Sequence, residues 1–127
     1  MSVTNYDDLR FFPPAPVLPV VFVALPHETK SMETQGFVDT GADATIVPKR
    51  LLQSIQARPL LSRYVRSYIG EQRVVRTYAV DVIVAGVTLP AIEVIGDDVP
   101  EPLIGRDVLN RLRLILDGPR QKIEVRA

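Results

Sequence analysis

Phe37-Val38-Asp39-Thr40-Gly41-Ala42-Asp43-Ala44-Thr45 drives an acid and a tight turn straight out of an apolar, strand-like run. A carboxylate directly after Phe37 and Val38 starts in a partly dry setting, where its charged form is disfavoured unless hydrogen bonds or a partner hold it. Thr40 and Gly41 suit that position. A threonine hydroxyl can bond backbone or a neighbouring acid, and glycine permits a left-handed turn or close approach of another chain. Taken alone, Asp-Thr-Gly is short enough to arise by chance and reads equally well as a surface turn.

Working outward, the flanking segments read as strands. Upstream, Val20 to Leu25 is β-branched and aromatic, Pro26 to Lys30 is its turn, and Met32 to Val38 returns toward the acid as the second arm of a hairpin. Downstream, Thr45 to Val47 is a short strand, and Pro48 opens a helical turn over Lys49 to Gln53. Leu60 to Ile69 and Arg73 to Val84 follow as strands joined by the turn Gly70-Glu71-Gln72. In the second of them Val74, Arg76, Tyr78, Val80, Val82 and Val84 share one face by the period of two. Val87 to Ile95 is a further strand ended by Gly96-Asp97-Asp98. Asp107 to Leu112 is a short amphipathic helix with Val108, Leu109 and Leu112 inward, and Leu114 to Val125 is a terminal hairpin turning at Asp117-Gly118-Pro119. The fold class is therefore all-β, a mostly antiparallel domain.

Composition bounds the chemistry. The chain of 127 residues is the length of one domain, read as an extended, proline-rich arm over 1–18 and a folded domain over 19–127. Phe11 and Phe12 in the arm are large to leave in water, which points to packing on the domain or on a partner, the domain being preferred. Fifteen basic residues balance fifteen acidic ones with no basic block, so electrostatics gives nucleic-acid binding no support. With no cysteine and one histidine, disulfides, Cys/His zinc sites and Cys-His catalysis are excluded, and His27 beside Pro26 reads as a solvated turn residue rather than a catalytic base. The apolar run from Ala15 to Leu25 is broken by Pro16 and Pro19 and reads as neither signal peptide nor membrane span, which makes the cytoplasm the default compartment.

A second motif, Pro102-Leu103-Ile104-Gly105-Arg106-Asp107-Val108-Leu109, follows the first with a strand pair between them, Tyr64 to Val84, that has a glycine at its turn. In this order of parts, from about Pro19 to Asp117, the chain resembles the retropepsins, the single-domain aspartic proteases of retroviruses and their cellular relatives. The resemblance implies a closed antiparallel β domain with one short C-terminal helix, and peptide hydrolysis without metal or other cofactor. Pepsin-like chains carry two Asp-Thr/Ser-Gly lobes. This chain has one such motif, so a two-aspartate site needs a homodimer.

Carried over residue by residue, the resemblance implies Asp39 as the catalytic acid and base, Thr40 bonding across the dimer to brace the paired loops, and Gly41 offering its carbonyl to substrate. Asp43 matches the position that meets substrate main chain and pairs with the arginine of the second motif, here Arg106. For that pair a structural brace is preferred over direct substrate contact. Leu103 packs under the loop and lines a pocket, while Tyr68 and Ile69, beside Gly70 at the flap turn, are candidates to cover an extended peptide, with local strand packing an equal reading. Val47, Ile69 and Leu103 together suggest hydrophobic side chains around the cut. The sequence departs from retroviral relatives in having one flap glycine, Gly70, and in its long prolyl arm and terminal hairpin. The competing reading is a noncatalytic dimerisation or peptide-binding module of the same fold, against which the intact Asp-Thr-Gly argues, since a buried acid costs stability.

Overall fold

The computed structural model describes residues 1–25, 31–66 and 69–126. The expected turn over Pro26 to Lys30, His27 within it, and Tyr68 lie outside the described residues. Among the described residues, ten strands and two short helices run in the order β1 (Ser2–Asn5), β2 (Val17–Ala24), β3 (Ser31–Val38), β4 (Ile46–Pro48), α1 (Lys49–Ser54), β5 (Arg58–Arg66), β6 (Gln72–Val84), β7 (Val87–Asp97), β8 (Leu103–Ile104), α2 (Arg106–Leu109), β9 (Arg113–Asp117) and β10 (Lys122–Arg126). Seven strands form one sheet in the order β2-β3-β8-β4-β7-β6-β5, and pairing of β2 with β6 closes it on itself. A second sheet, β1-β10-β9, caps it. Inside lie Phe22, Val47, Val80, Val82 and Val94, all without solvent exposure, and Ile123 from the small sheet joins the same core.

Two strand pairs are parallel. β8 slots between β3 and β4, running parallel to β3 with Leu103 opposite Phe37 and Ile104 opposite Val38, and β4 runs parallel to β7 with Ile46 opposite Ile95. These pairings join segments far apart in sequence, and the tiny strands involved carry too few residues for a pattern to declare their partners. They matter most for function, because β3 ends at the acid of the first motif and β8 is the Leu-Ile of the second.

The long strand β6 departs from the expected single face. Val80, Val82 and Val84 are buried, but in its first half Val75 and Thr77 are the buried residues while Val74 and Arg76 are exposed. The inward face changes between Thr77 and Val80, where the strand's neighbours change. The first half pairs with β5 to form the hairpin arm, and the second half pairs with β2 inside the closed sheet.

The arm also differs from expectation. Its first residues are strand β1, paired antiparallel with β10, and the next segment closes into a loop through reciprocal backbone bonds between Asp7 and Ala15 (2.8 and 3.1 Å). β2 begins at Val17, inside what reads as arm from the sequence, because Val17 and Leu18 are buried despite Pro16 and Pro19. The C-terminal helix is shorter than read, ending at Leu109, and Pro48 stands just ahead of α1.

Both strands of the β5–β6 hairpin are tied to β7 by arginines. Arg63 on β5 makes two bonds to Glu93 (2.5 and 2.8 Å), and Arg73 on β6 pairs with Asp97, a buried carboxylate at the end of β7. The Arg73 guanidinium holds the Asp97 carboxyl below its ordinary pKa, overcoming the upward push of burial; Arg63, helped by Thr77, does the same to Glu93. A carboxylate with a depressed folded-state pKa contributes stability above its unfolded value, and that contribution is lost as pH falls through the folded one. Asp97→Asn is therefore expected to lower the urea midpoint near neutrality, with the gap to the parent shrinking as pH drops below about 4. A gap that stays constant through that window would contradict the Arg73 contact as its origin.

Candidate active site

Asp39 stands just past the end of β3, where two apolar strands deliver it. Its backbone N–H donates to the Ile104 carbonyl (3.0 Å), extending the β3–β8 pairing by one bond. Its carbonyl accepts the Ala42 N–H (3.2 Å), and its Oδ1 accepts the Gly41 N–H (3.0 Å). The side chain thus closes the Asp-Thr-Gly turn on itself. Asp39 is half-buried, while Thr40 and Gly41 are exposed at the apex.

The loop is held from below by the second motif. Thr45, with no solvent exposure, donates its hydroxyl to Asp107 Oδ1 (2.7 Å), and its N–H goes to Asp107 Oδ2 (3.0 Å). The same hydroxyl oxygen accepts the Gly105 N–H (3.1 Å), so one threonine knots the loop to the start of α2. Gly105 has to be glycine here, since a Cβ would sit 2.6 Å from the carbonyl carbon and oxygen of Ala44. Arg106 follows, its N–H donating to the Ala42 carbonyl (2.9 Å).

The Arg106 guanidinium pairs with Asp43 and also donates to the Thr40 carbonyl (2.8 Å). The Asp43 side chain is 90% exposed, so the ion pair alone is of the weak surface kind. The bond to Thr40 is what fastens the apex. Sequence reading paired Arg106 with Asp43 but missed Thr45 and Asp107. The signal was available: an acid in the first turn after Gly-Arg, and a threonine at the far end of the loop.

Beside the loop lies a cleft of about 610 Å³, bounded by Gly41 to Ala44 and Ile46 on one side, Arg63 to Arg66 of β5 on the other, with Ile95 and Arg106 between. Gly41 and Asp43 are among the residues that line it. Val47 is not. It is fully buried in the core, because alternation along β4 turns Ile46 to the cleft and Val47 away from it. Leu103 is half-buried beside Phe37 in the layer under the loop and is not among the cleft residues. Ile69 is 80% exposed, and Gly70 takes φ +85°, a left-handed conformation that needs glycine, at the hairpin turn.

The knot and the ion pair are separable by mutation. Thr45→Val keeps the shape but leaves the Gly105 N–H and an Asp107 oxygen without their partner, and is expected to cost about 1–3 kcal/mol in urea unfolding. Asp43→Ala, at an exposed position, is expected to cost under about 1 kcal/mol. Equal losses in the two variants would contradict this division of labour.

The comparisons with known proteins agree with this fold. The family model described as gag-polyprotein putative aspartyl protease matches residues 28–111, which include both motifs. No curated protein gives a significant match. Among solved structures, the retropepsin-like aspartic protease from Rickettsia conorii is similar with a TM-score of 0.65 at 15% identity, covering 98% of this chain and 88% of its own. EIAV protease complexed with the inhibitor HBY-793 is similar with a TM-score of 0.61 at 18% identity, covering 83% of this chain and 91% of its own. At these identities the structures speak for the fold, and the family model, spanning more than half of the sequence, speaks for descent: the chain belongs to the retropepsin-like aspartic proteases.

Proposed function

We propose that the protein is a homodimeric aspartic endopeptidase in which Asp39 from each of two copies forms one catalytic dyad, acting on extended peptides in the cytoplasm. The observation that carries this reading is the single Asp-Thr-Gly loop, braced from below by Thr45, Asp107 and Arg106 yet exposed at Thr40 and Gly41. A loop held this firmly and left open at its apex suits a second, identical loop across a two-fold axis, with Thr40 bonding across it.

Two carboxylates brought within a few ångströms cannot both stay ionised, so the pair shares one proton. The ionised carboxylate takes a proton from a water whose oxygen attacks the scissile carbonyl carbon, while the protonated carboxyl gives its proton to the carbonyl oxygen. The tetrahedral diol then collapses: the C–N bond breaks, the amine leaves with a proton from one carboxyl of the dyad, a diol hydroxyl gives its proton to the other carboxylate, and the new carboxyl group departs with the dyad again holding one proton. No covalent intermediate forms.

The substrate enters as an extended strand between the loop and the β5–β6 hairpin, whose turn acts as the flap. Main-chain bonds supply affinity and alternate side chains enter pockets. Asp43 and the Gly41 carbonyl offer polar contacts at the cleft wall. Ile46, Ile95 and Val65 supply its apolar surface and support a preference for hydrophobic side chains.

Asp39→Asn preserves shape but cannot exchange the proton. It is expected to abolish cleavage of a mixed peptide library, by more than about a thousandfold, while the protein still folds and dimerises. Cleavage retained within tenfold of the parent would overturn the assignment. Specific activity of the parent is also expected to fall on dilution as copies separate.

A further inference from the structure

The two most exposed large apolar side chains among the described residues are Phe12 at 98% and Leu9 at 93%, and both project from the loop closed between Asp7 and Ala15. An exposed phenyl ring on a loose tail would mean little. This loop is fastened. The Asp7 carboxylate accepts the Leu9 and Arg10 N–H groups (3.0 Å each) and the Arg10 Nε (2.6 Å), and the Arg10 backbone N–H, followed by its guanidinium, keeps that carboxyl below its ordinary pKa. Arg10 reaches on to Gln35 of β3 (3.3 Å) and to Glu101 (3.8 Å).

Phe11 fixes the loop's place relative to the catalytic strand. Its ring packs on Phe37 with centroids 5.1 Å apart at 53°, and Phe37 stands two residues ahead of Asp39. The chain leaving the loop is bonded there too, the Val38 N–H donating to the Pro16 carbonyl (3.1 Å). The fold therefore spends one phenylalanine on anchoring the loop beside the Asp39 strand and leaves the next one in water.

We propose that the Asp7–Ala15 loop is a docking element for a second copy of this chain, with Phe12 as its anchor and Leu9 beside it. The proposal rests on the dyad reading, in which a second copy has to come up against the Asp39 loop; the surface adjoining that loop is then where it makes contact. A two-fold axis presents the loop twice, once from each copy. Because the loop is already ordered by its own hydrogen bonds, little conformational freedom is lost when Phe12 is covered, which is what makes a rigid aromatic an effective anchor. The expectation of one packed arm thus divides between two adjacent residues, Phe11 on its own domain and Phe12 on the partner.

The test compares the full chain with Phe12→Ser and Leu9→Ser by sedimentation equilibrium, with peptide-library cleavage followed across protein concentration. Since Phe12 is almost wholly exposed in the single chain, Phe12→Ser is expected to melt like the parent. Its dimer is expected to weaken about a hundredfold, roughly tenfold for each copy of the ring. Activity should reach the parent's level at high concentration, and two Phe12→Ser copies joined head to tail by a flexible linker should cut at low concentration. A parent-like dimer constant for Phe12→Ser would overturn the proposal and leave the protease reading standing. So would unchanged dimerisation with impaired cutting of protein substrates alone, which would make the loop a substrate contact. A parent that stays monomeric at every concentration, whether it cuts or not, would overturn the dyad reading and this proposal with it.

Discussion

One constraint governs the arrangement: a turn carrying a carboxylate must be rigid without being covered. The Thr45 hydroxyl meets it by bonding Asp107 and Gly105 at once, in a fully buried position, so that the base of the loop is fixed from the core side. Gly105 lets the two motifs approach to a distance that any side chain would prevent. Buried polar groups that satisfy one another hold geometry more firmly than apolar contacts of the same size, because slipping leaves them unpaired in a dry place. Arg106 holds the Thr40 carbonyl, and the Thr40 and Gly41 residues stay exposed at the apex.

The same economy appears in the hairpin over the cleft. Its strands extend past the closed part of the sheet, where one face has no layer beneath it, and fewer apolar contacts hold them. Arg63 and Arg73 compensate by reaching to Glu93 and Asp97 on β7, one from each strand. Asp97 is the more telling partner, since it is buried and its neighbour's guanidinium keeps it charged. With a single left-handed glycine at the turn, Gly70, the hairpin has one residue built for a tight reversal at its tip.

Much of this was legible in the sequence, and for definite reasons. Asp-Thr-Gly after an apolar strand, and Leu-Ile-Gly-Arg before a helix, are local patterns whose chemistry shows in the residue types. The pairing of Arg106 with Asp43 was carried by family likeness. What the residues could not show was which neighbour each short strand would take. Leu103 and Ile104 gain their meaning from lying parallel to Phe37 and Val38, a contact across more than sixty residues. Val47 was misread as a pocket residue because a three-residue strand gives alternation nothing to lock onto, so that Ile46 and Val47 are interchangeable until the layer beneath is known. The face of β6 failed differently: thirteen residues of alternation look uniform, yet the strand passes between two environments that cover opposite faces of it. The proline-rich arm resisted reading because its order comes from Asp7 turning the chain back and from pairing with a strand at the other end of the protein.

The central claim is that two copies of Asp39 share one site, and mixing tests it most directly. The parent is combined with increasing Asp39→Asn protein at fixed total concentration, high enough to keep both as dimers, and allowed to exchange before cleavage is measured. If each site needs a carboxylate from both copies, mixed dimers are dead and activity falls as the square of the parent fraction, to about a quarter at an equal mixture. Activity falling only in proportion to the parent fraction, to one half at an equal mixture, in samples shown to have exchanged subunits, would mean that each copy cuts by itself, and the shared-dyad account would be wrong.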